Sequence, residues 1–240
     1  LRLGLLFFLT AAPIMVVASG AVSAADSGDA RTKIEIPFDD GYMIGVSLAD
    51  QEQFGWQRIA PFASPEVRQD GAGRPGAFST GEETRAILPT DGLDASSKPV
   101  RLEFAASIPA IDAHGPTYSQ VGLVAGVSGI PNPVITISAM ELLFGKGIGI
   151  SEPEARKAYR GAEPFRPARG KTTHVRCDFD AEANTASISV SEDGGETYEE
   201  LSASAGGERF TFEPSAFFDH IYLRLGTSPA TGIYSIVVSQ

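Results

Sequence analysis

Thr173-His174-Val175-Arg176-Cys177-Asp178-Phe179 is the stretch that decides the fold class of this 240-residue chain. Every second side chain from Val175 to Phe179 is apolar, and the side chains between them are polar or charged. The same alternation recurs at Ala186 to Ser191, at Phe218 to Gly226 and at Ile233 to Val238. A two-residue period bounded by Gly, Asp, Asn and Pro is typical of half-buried antiparallel strands. The last third of the chain therefore predicts an all-β domain of a kind that usually binds something.

Further strands are predicted in the first two thirds of the chain. The strongest is Pro99 to Ser107, in which Val100, Leu102 and Phe104 share one face. The remaining candidates are Lys33 to Phe38, Gln57 to Ala60, Glu66 to Gln69, Ala77 to Thr80, Thr84 to Leu88, Ser119 to Val127, Val134 to Ala139 and Gly147 to Ser151.

One segment predicts a short helix inside a loop. Ser151-Glu152-Pro153-Glu154 combines a capping residue, a glutamate three positions on and a proline in the first turn. Ala155 to Arg160 continue this pattern until Gly161 ends it. We therefore expect a helix from Glu152 to Arg160 within a long connection between two strands, Ser151 to Gly170. Long connections in compact β domains are often functional.

The first 24 residues have the features of a signal peptide, with an uncleaved membrane anchor as the alternative. Arg2 precedes an apolar run from Leu3 to Val17, and Val22-Ser23-Ala24 fits the small-x-small cleavage rule. The sequence predicts cleavage near Ala24, a mobile leader at residues 25–31 and a single domain at residues 32–240. The expected location is secreted, periplasmic or on the cell surface. No later apolar run is long enough to insert the mature chain into a membrane.

The charge balance excludes one class of partner. Removal of Arg2 with the signal peptide leaves 18 basic and 30 acidic residues, a formal charge of −12. This charge argues against nucleic acid or an anionic membrane as the main partner. Cys177 is the only cysteine, so no intramolecular disulfide can form, and its place in the alternating pattern predicts a buried, inert thiol.

Two groups of turn and core residues resemble a known superfamily. Near the start these are Phe38-Asp39-Asp40-Gly41-Tyr42, then Gly45, Leu48, Gln51 and Gly55-Trp56. Near the end they are His174 to Asp178, a hairpin with Asp-Gly-Gly, Phe218 to Ile221, and Gly232 to Ser235. The chain resembles the concanavalin A-like lectin/glucanase superfamily, in particular laminin-G-like jelly-roll domains of exported bacterial proteins. The resemblance implies an antiparallel jelly-roll β-sandwich of two sheets, one of them curved, with a concave face that commonly receives carbohydrate. It fixes no activity, because members include lectins, carbohydrate-binding modules, glycoside hydrolases and polysaccharide lyases.

The enzymatic branches of this superfamily have limited support in the residues. The hydrolase branch would need two acids in the string Glu-x-Asp-x-x-Glu, which does not occur. The lyase branch would use Arg and Glu on one strand, Gln and His on the next, and a Tyr on a third. Here that suggests a polar groove of Arg101, Glu103, Gln120, His174 and Arg176, although position 122 is Gly where His is wanted. The alternative is cross-strand charge pairing on a solvated face.

The Ser191 to Tyr198 segment resembles an Asp box, Ser-x-Asp-x-Gly-x-Thr-aromatic. Physically this is a hairpin in which Asp caps the turn amides and Gly supplies a positive φ. Because only one copy is present, the pattern favours a structural role over a sialidase.

A basic segment suggests a ligand. Six basic residues lie between positions 156 and 171, opposed only by Glu163. Arginine forks match carboxylate and sulfate oxygens, so an anionic sugar is a candidate ligand. The expected binding residues are Arg160, Arg166, Arg169, Tyr159 and Arg176, with Phe165 as a further stacking face. The alternative is a solvated loop that balances an acidic surface.

The sequence thus favours an exported, non-catalytic carbohydrate-binding or adhesion-type module whose partner is a polysaccharide or surface glycan. A lyase or hydrolase of the same fold and a structural surface protein are the alternatives. Asp39 and Asp40 are candidate ligands of a structural calcium ion, against a simple turn role, and no other cofactor is expected. Trp56, the only tryptophan, is expected to anchor the core rather than to stack on a sugar.

Overall fold

Short strands dominate the chain, as the alternating pattern predicts. The computed structural model describes residues 32–90, 93, 99–107, 119–128, 134–144, 148–152, 157–160, 165, 167–180, 183, 185–201, 210–211, 219–228 and 231–240. Of these, residues 125–128, 134–144, 148–152, 157–160 and 210–211 are described by their backbone only. The predicted signal peptide and leader lie outside the described residues.

Nine strands occupy the described chain up to residue 144. They are β1 (Lys33–Pro37), β2 (Val46–Ser47), β3 (Gln57–Arg58), β4 (Glu66–Gln69), β5 (Pro75–Phe78), β6 (Thr84–Pro89), β7 (Val100–Ser107), β8 (Ser119–Ser128) and β9 (Val134–Phe144). Two 3₁₀ turns, Leu48–Asp50 and Glu52–Phe54, lie between β2 and β3.

The described residues beyond 144 form eight more strands. They are β10 (Ile148–Glu152), β11 (Lys157–Arg160), β12 (Thr172–Asp180), β13 (Thr185–Ser191), β14 (Glu199–Leu201), β15 (Phe210–Thr211), β16 (His220–Leu225) and β17 (Gly232–Ser239). The alternating stretch quoted first is the centre of β12. Its residues alternate strictly between half-buried and buried.

The strands form two antiparallel sheets. One has the order β14-β13-β12-β7-β17-β5-β4-β2, with β1 paired to β17 and β15 paired to β13. The other has the order β11-β10-β9-β8-β16-β6-β3. This is the predicted antiparallel jelly-roll sandwich.

The main core lies between the sheets and confirms the predicted faces. Phe104 of β7 and Phe179 of β12 meet Leu123 of β8 and Leu223 of β16, and all four side chains are at most 2% exposed. Cys177 is fully buried in the same core, as expected. Burial of such side chains stabilises the fold by roughly 1.5–3 kcal/mol each.

A smaller apolar cluster lies apart from the main core. It consists of Ile59, Ile87, Val124 and Tyr222, which are 6% exposed or less. Val124 directly follows Leu123 of the main core, and neighbouring strand residues point to opposite faces. The smaller cluster therefore lies on the outer face of the seven-stranded sheet.

The predicted helix at Glu152 to Arg160 is wrong. Lys157–Arg160 is strand β11, which pairs with β10 in a register that joins Glu152 to Lys157 and Gly149 to Arg160. Residues 153–156 lie outside the described residues. A helix of about two turns is marginal in water, whereas pairing with β10 supplies backbone hydrogen bonds along an existing sheet. Across the described part of the chain, no helix has the length and apolar character needed to cross a membrane.

Candidate functional site

A pocket of about 600 Å³ lies near the terminal strands of both sheets. Strand β2 ends the order of the ten-stranded sheet and β3 ends the order of the seven-stranded sheet. The pocket is lined by residues from both strands, from the first 3₁₀ turn and from neighbouring loops: Ser47, Ala49, Asp50, Trp56, Gln57, Arg58, Ala63, Ser64 and Thr80. Its volume falls within the roughly 300–1,000 Å³ typical of small-molecule sites.

A buried glutamine fixes the segment that carries Asp50. Gln51 is 0% exposed. Its Oε1 accepts a hydrogen bond from Met43 N at 2.7 Å, and its Nε2 donates to Met43 O at 3.3 Å and to Val46 O at 3.1 Å. Because one side chain ties the preceding loop to the 3₁₀ turn, the pocket wall at Asp50 is held in place.

The aromatic wall of the pocket is fixed from behind. Trp56 is 3% exposed, and its ring lies 6.4 Å from that of Phe38. Its Nε1–H donates to the Tyr42 hydroxyl at 3.0 Å, and Tyr42 stacks on Phe54 with the ring centroids 3.7 Å apart. Burial raises the pKa of Tyr42 to about 12. Trp56 is therefore the core anchor that the sequence predicts, and it also lines the pocket.

Several polar side chains of the pocket are available to a ligand. Within the described part of the chain, Asp50, Arg58 and Thr80 form no side-chain hydrogen bond or ion pair. Gln57 has a buried Oε1 without a hydrogen-bond partner among the described residues. In contrast, the Ser64 hydroxyl is used internally, because it accepts from Ala49 N at 3.2 Å. The pocket thus offers a carboxylate, a guanidinium and a hydroxyl beside a rigid apolar wall.

Gln120 does not join the other residues suggested for a lyase. Arg101 and Glu103 lie on β7 and His174 and Arg176 on β12, neighbouring strands of the ten-stranded sheet. Gln120 lies on β8 of the other sheet, where its Oε1 accepts from Arg224 Nη1 at 2.9 Å.

The charges on β7 and β12 pair with each other instead. Arg101 Nε lies 2.6 Å from Asp178 Oδ1, and Arg176 Nε lies 2.5 Å from Glu103 Oε1. The hydrogen bonds to Asp178 raise the pKa of Arg101. The geometry is that of cross-strand charge pairing, the alternative that the sequence left open.

Arg176 is also engaged by an aromatic ring. Its guanidinium carbon lies 3.8 Å from the ring centroid of Tyr198. His174 lies two residues before Arg176 on the same face of β12, and burial lowers the pKa of its imidazole. The surroundings of Arg176 are therefore already satisfied by Glu103 and Tyr198, which argues against a free anion-binding role for this arginine.

The residues of the basic segment are spread over two sheets. Tyr159 and Arg160 belong to the outermost strand of the seven-stranded sheet, opposite Ile150 and Gly149. Arg169 is exposed just before β12 of the ten-stranded sheet. Arg166 lies outside the described residues. Phe165 is half-buried and packs against the main core, and its role as a stacking face stays a prediction.

Asp39 and Asp40 are exposed in the turn after β1. Calcium takes six to eight oxygen ligands. The described residues offer no group of three or more His, Cys, Asp or Glu side chains placed to hold a metal ion. The two aspartates alone do not fit a calcium cage, and calcium binding stays a prediction.

The Ser191 to Tyr198 hairpin has the internal bonds expected of its sequence. Asp193 accepts hydrogen bonds from the backbone amides of Glu196 and Thr197 at 3.1 and 3.0 Å, and also from the hydroxyls of Ser191 and Thr197. These hydroxyl bonds hold the pKa of Asp193 well below its usual range. Gly194 and Gly195 have φ of 86° and 89°, in the region that favours glycine. The observed role of this segment is to close a turn.

Sequence reasoning missed Asp50, Gln57 and Arg58 as site residues. They come from irregular turns and a two-residue strand, where no periodic pattern marks a face. The available signal was the set of polar residues on either side of Gly55-Trp56, where the sequence analysis considered only the core role of Trp56.

Solved structures resemble the chain throughout the sandwich. The acidic lectin of winged bean, solved with methyl-α-D-galactose, has a TM-score of 0.53 and 11% identity, covering 87% of this chain and 98% of the lectin. A protein of unknown function from Shewanella oneidensis MR-1 has a TM-score of 0.50 and 11% identity, covering 87% and 86%. Lectin II from Ulex europaeus has a TM-score of 0.50 and 12% identity, covering 87% and 97%. No protein-family model and no curated protein sequence matches the chain.

These comparisons agree with the two-sheet topology. The chain has the jelly-roll fold of concanavalin A-like lectins, which confirms the resemblance at the level of the fold. At identities near 11%, the likeness shows the fold and leaves the function to the site.

Proposed function

We propose that this protein is a non-catalytic carbohydrate-binding protein and that the pocket beside Trp56 is its sugar site. The observation that carries the proposal is the set of free polar groups, Asp50 and Arg58 above all, next to a fixed aromatic wall. A sugar presents hydroxyls that donate and accept hydrogen bonds, together with an apolar ring face. Such a ligand can satisfy a carboxylate and a guanidinium while covering apolar surface.

The fold supports the same class of ligand. The winged bean acidic lectin was solved with methyl-α-D-galactose, and the basic winged bean lectin with Tn-antigen. Those ligands belong to those proteins. They support carbohydrate as the first class of compound to test here.

The arrangement of the described residues favours binding over catalysis. Arg101, Glu103 and Arg176 are engaged in ion pairs on one sheet, and Gln120 is bonded on the other. A polysaccharide panel read for reducing ends and unsaturated products tests this directly. Turnover that is lost in Glu103→Gln or His174→Ala would replace the binding proposal with a lyase or hydrolase.

The finer proposals concern export and an anionic polysaccharide. We propose cleavage after Ala24, which mass spectrometry of the mature protein tests by finding Ala25 as its first residue. We also propose that the basic segment contributes to binding of an anionic glycan. Exposed charges are screened within about 8 Å at physiological ionic strength, so this binding should weaken steeply with salt and in the triple variant Arg160→Gln, Arg166→Gln, Arg169→Gln.

Binding at the pocket can be measured by the fluorescence of Trp56. Trp56 is the only tryptophan in the chain and lines the pocket, so a ligand there should change the tryptophan emission. We expect Arg58→Gln to weaken glycan binding about tenfold or more, because a hydrogen bond to a charged group contributes roughly 1.5–3 kcal/mol.

Lys33→Gln is the matched control for this variant. Lys33 is an exposed residue of β1 with a surface ion pair to Glu35, so its loss removes the same charge away from the pocket lining. Equal glycan affinity of wild type, Arg58→Gln and Lys33→Gln would contradict the proposal that this pocket is the sugar site.

A further inference from the structure

We infer that the pocket beside Trp56 selects a neutral sugar unit and disfavours a sugar that carries a carboxylate. This inference rests on the proposed function and specifies the ligand of the same site. It differs from the anionic ligand that the basic segment suggests, because the two places have opposite surroundings.

The charges in the pocket wall are balanced. Asp50 and Arg58 both line the pocket, and neither forms an ion pair with the other or with another described residue. A carboxylate on the ligand would be attracted by the Arg58 guanidinium but repelled by the Asp50 carboxylate. An ammonium group on the ligand would gain Asp50 but would face Arg58. Hydroxyl groups satisfy both, because a hydroxyl donates to a carboxylate and accepts from a guanidinium.

The surroundings of the pocket add negative charge. Glu52 is exposed in the second 3₁₀ turn, two residues beyond Asp50. Glu66 lies directly across from the pocket residue Ser47 in the β2–β4 register. Two carboxylates beside the pocket lining therefore add to the charge of Asp50, and a ligand carboxylate would meet like charge there. A neutral ligand avoids this repulsion.

The remaining lining suits a ring with hydroxyls. Ala49, Ala63 and the exposed part of Trp56 supply apolar surface. The hydroxyls of Ser47 and Thr80 supply further groups that both donate and accept. A volume of about 600 Å³ leaves room for one or a few sugar rings.

The test uses sugars that differ in a single group. Methyl α-D-galactoside and methyl α-D-glucoside are titrated beside the corresponding methyl uronosides, in which the primary alcohol is replaced by a carboxylate. Binding is followed by Trp56 emission and, independently, by calorimetry at low and high salt. We expect at least one neutral glycoside to bind about tenfold or more tightly than its uronoside at low salt, with the ratio shrinking at high salt.

Variants separate charge from hydrogen bonding. Asp50→Asn keeps the size of the side chain and removes the negative charge, so it should bring the affinity of the uronoside close to that of the neutral sugar. Asp50→Ala removes the acceptor and should weaken the neutral sugar as well. Lys33→Gln should change neither affinity.

The outcomes distinguish this inference from the proposed function. Tighter binding of a uronoside than of its neutral partner would overturn the inference and leave carbohydrate binding intact. Binding of a neutral sugar that is unchanged in Asp50→Ala and in Arg58→Gln would move the site elsewhere and overturn the inference. If neither sugar class binds by emission or by calorimetry, both the inference and the pocket's proposed function are wrong.

Discussion

Replacement of Gly232 by alanine should destabilise the sandwich through one aromatic ring. Gly232 is the first residue of β17 and pairs with Phe78 of β5. A Cβ at this position would lie 2.5 Å from Cε1 and 2.7 Å from Cζ of Phe78. Contacts of this length are essentially never seen, so either the ring or the strand must move.

The ring of Phe78 has little freedom to move away. It is 4% exposed, the Tyr234 ring meets it edge-on at 6.1 Å, and the Arg68 guanidinium lies 5.3 Å above its centroid. Overpacking in a tight site of this kind costs about 1–3 kcal/mol. For a domain of this size, each kcal/mol lowers the melting temperature by roughly 2–4 °C, which gives an expected fall of about 2–12 °C.

Urea unfolding followed by Trp56 emission and thermal unfolding followed by circular dichroism measure this effect. Gly71→Ala is the control, because no atom lies within 4 Å of a Cβ built there, and surface changes usually stay within about ±0.5 kcal/mol. Phe78→Leu in the Gly232→Ala background should recover part of the loss if the ring is the cause. Equal stability of Gly232→Ala and Gly71→Ala would refute the reasoning.

Four further predictions concern three side chains. Tyr42→Phe leaves the indole N–H of Trp56 without its acceptor and should lower the free energy of unfolding by about 1–3 kcal/mol in urea. Burial raises the pKa of Tyr42 from 10.0 to about 12. The stability that its neutral form contributes is therefore lost as the pH rises from 10 to 12. Tyrosinate absorbance and melting curves measured across that pH range test this. The Asp193 pKa is lowered from 3.8, so its contribution is present above pH 3.8 and lost below it, and acid titration should lower the melting temperature of wild type more than that of Asp193→Asn. Cys177 is fully buried and its pKa is raised by burial, so a thiol reagent should label it only after unfolding, and rapid labelling of the native protein would contradict this placement.

The strands of the sandwich could be predicted because burial of one face makes apolar and polar residues alternate along each strand. In β12, and in β7 from Val100 to Phe104, one face is buried and the other is half-buried or exposed, so the alternation is visible in the sequence. The helix prediction failed because capping residues report a local preference, whereas pairing of β11 with β10 is a tertiary contact. Local patterns carry no information about such a partner.

The candidate site could be predicted only in part. The face of Glu103 and Arg176 follows from alternation, but which sheet each strand joins does not, so Gln120 was wrongly grouped with them. The pocket residues Asp50 and Arg58 come from segments without a period, brought together by the ends of two sheets. Their grouping depends on topology, which a single sequence does not specify.

The pairing of β1 with β17 determines how the described fold would respond to force. Lys33 lies opposite Ser239, and the backbone N–H of Gln240 donates to Thr32 O at 2.9 Å, so residues 32 and 240 are neighbours. Antiparallel hydrogen bonds run perpendicular to their strands. Tension between these two residues therefore pulls along the bonds and breaks them one after another, from residues 32 and 240 toward Pro37. A domain pulled through both residue 32 and residue 240 would therefore lose β1 first, by stepwise separation from β17. A domain attached through only one of these residues puts no tension across this pair of strands.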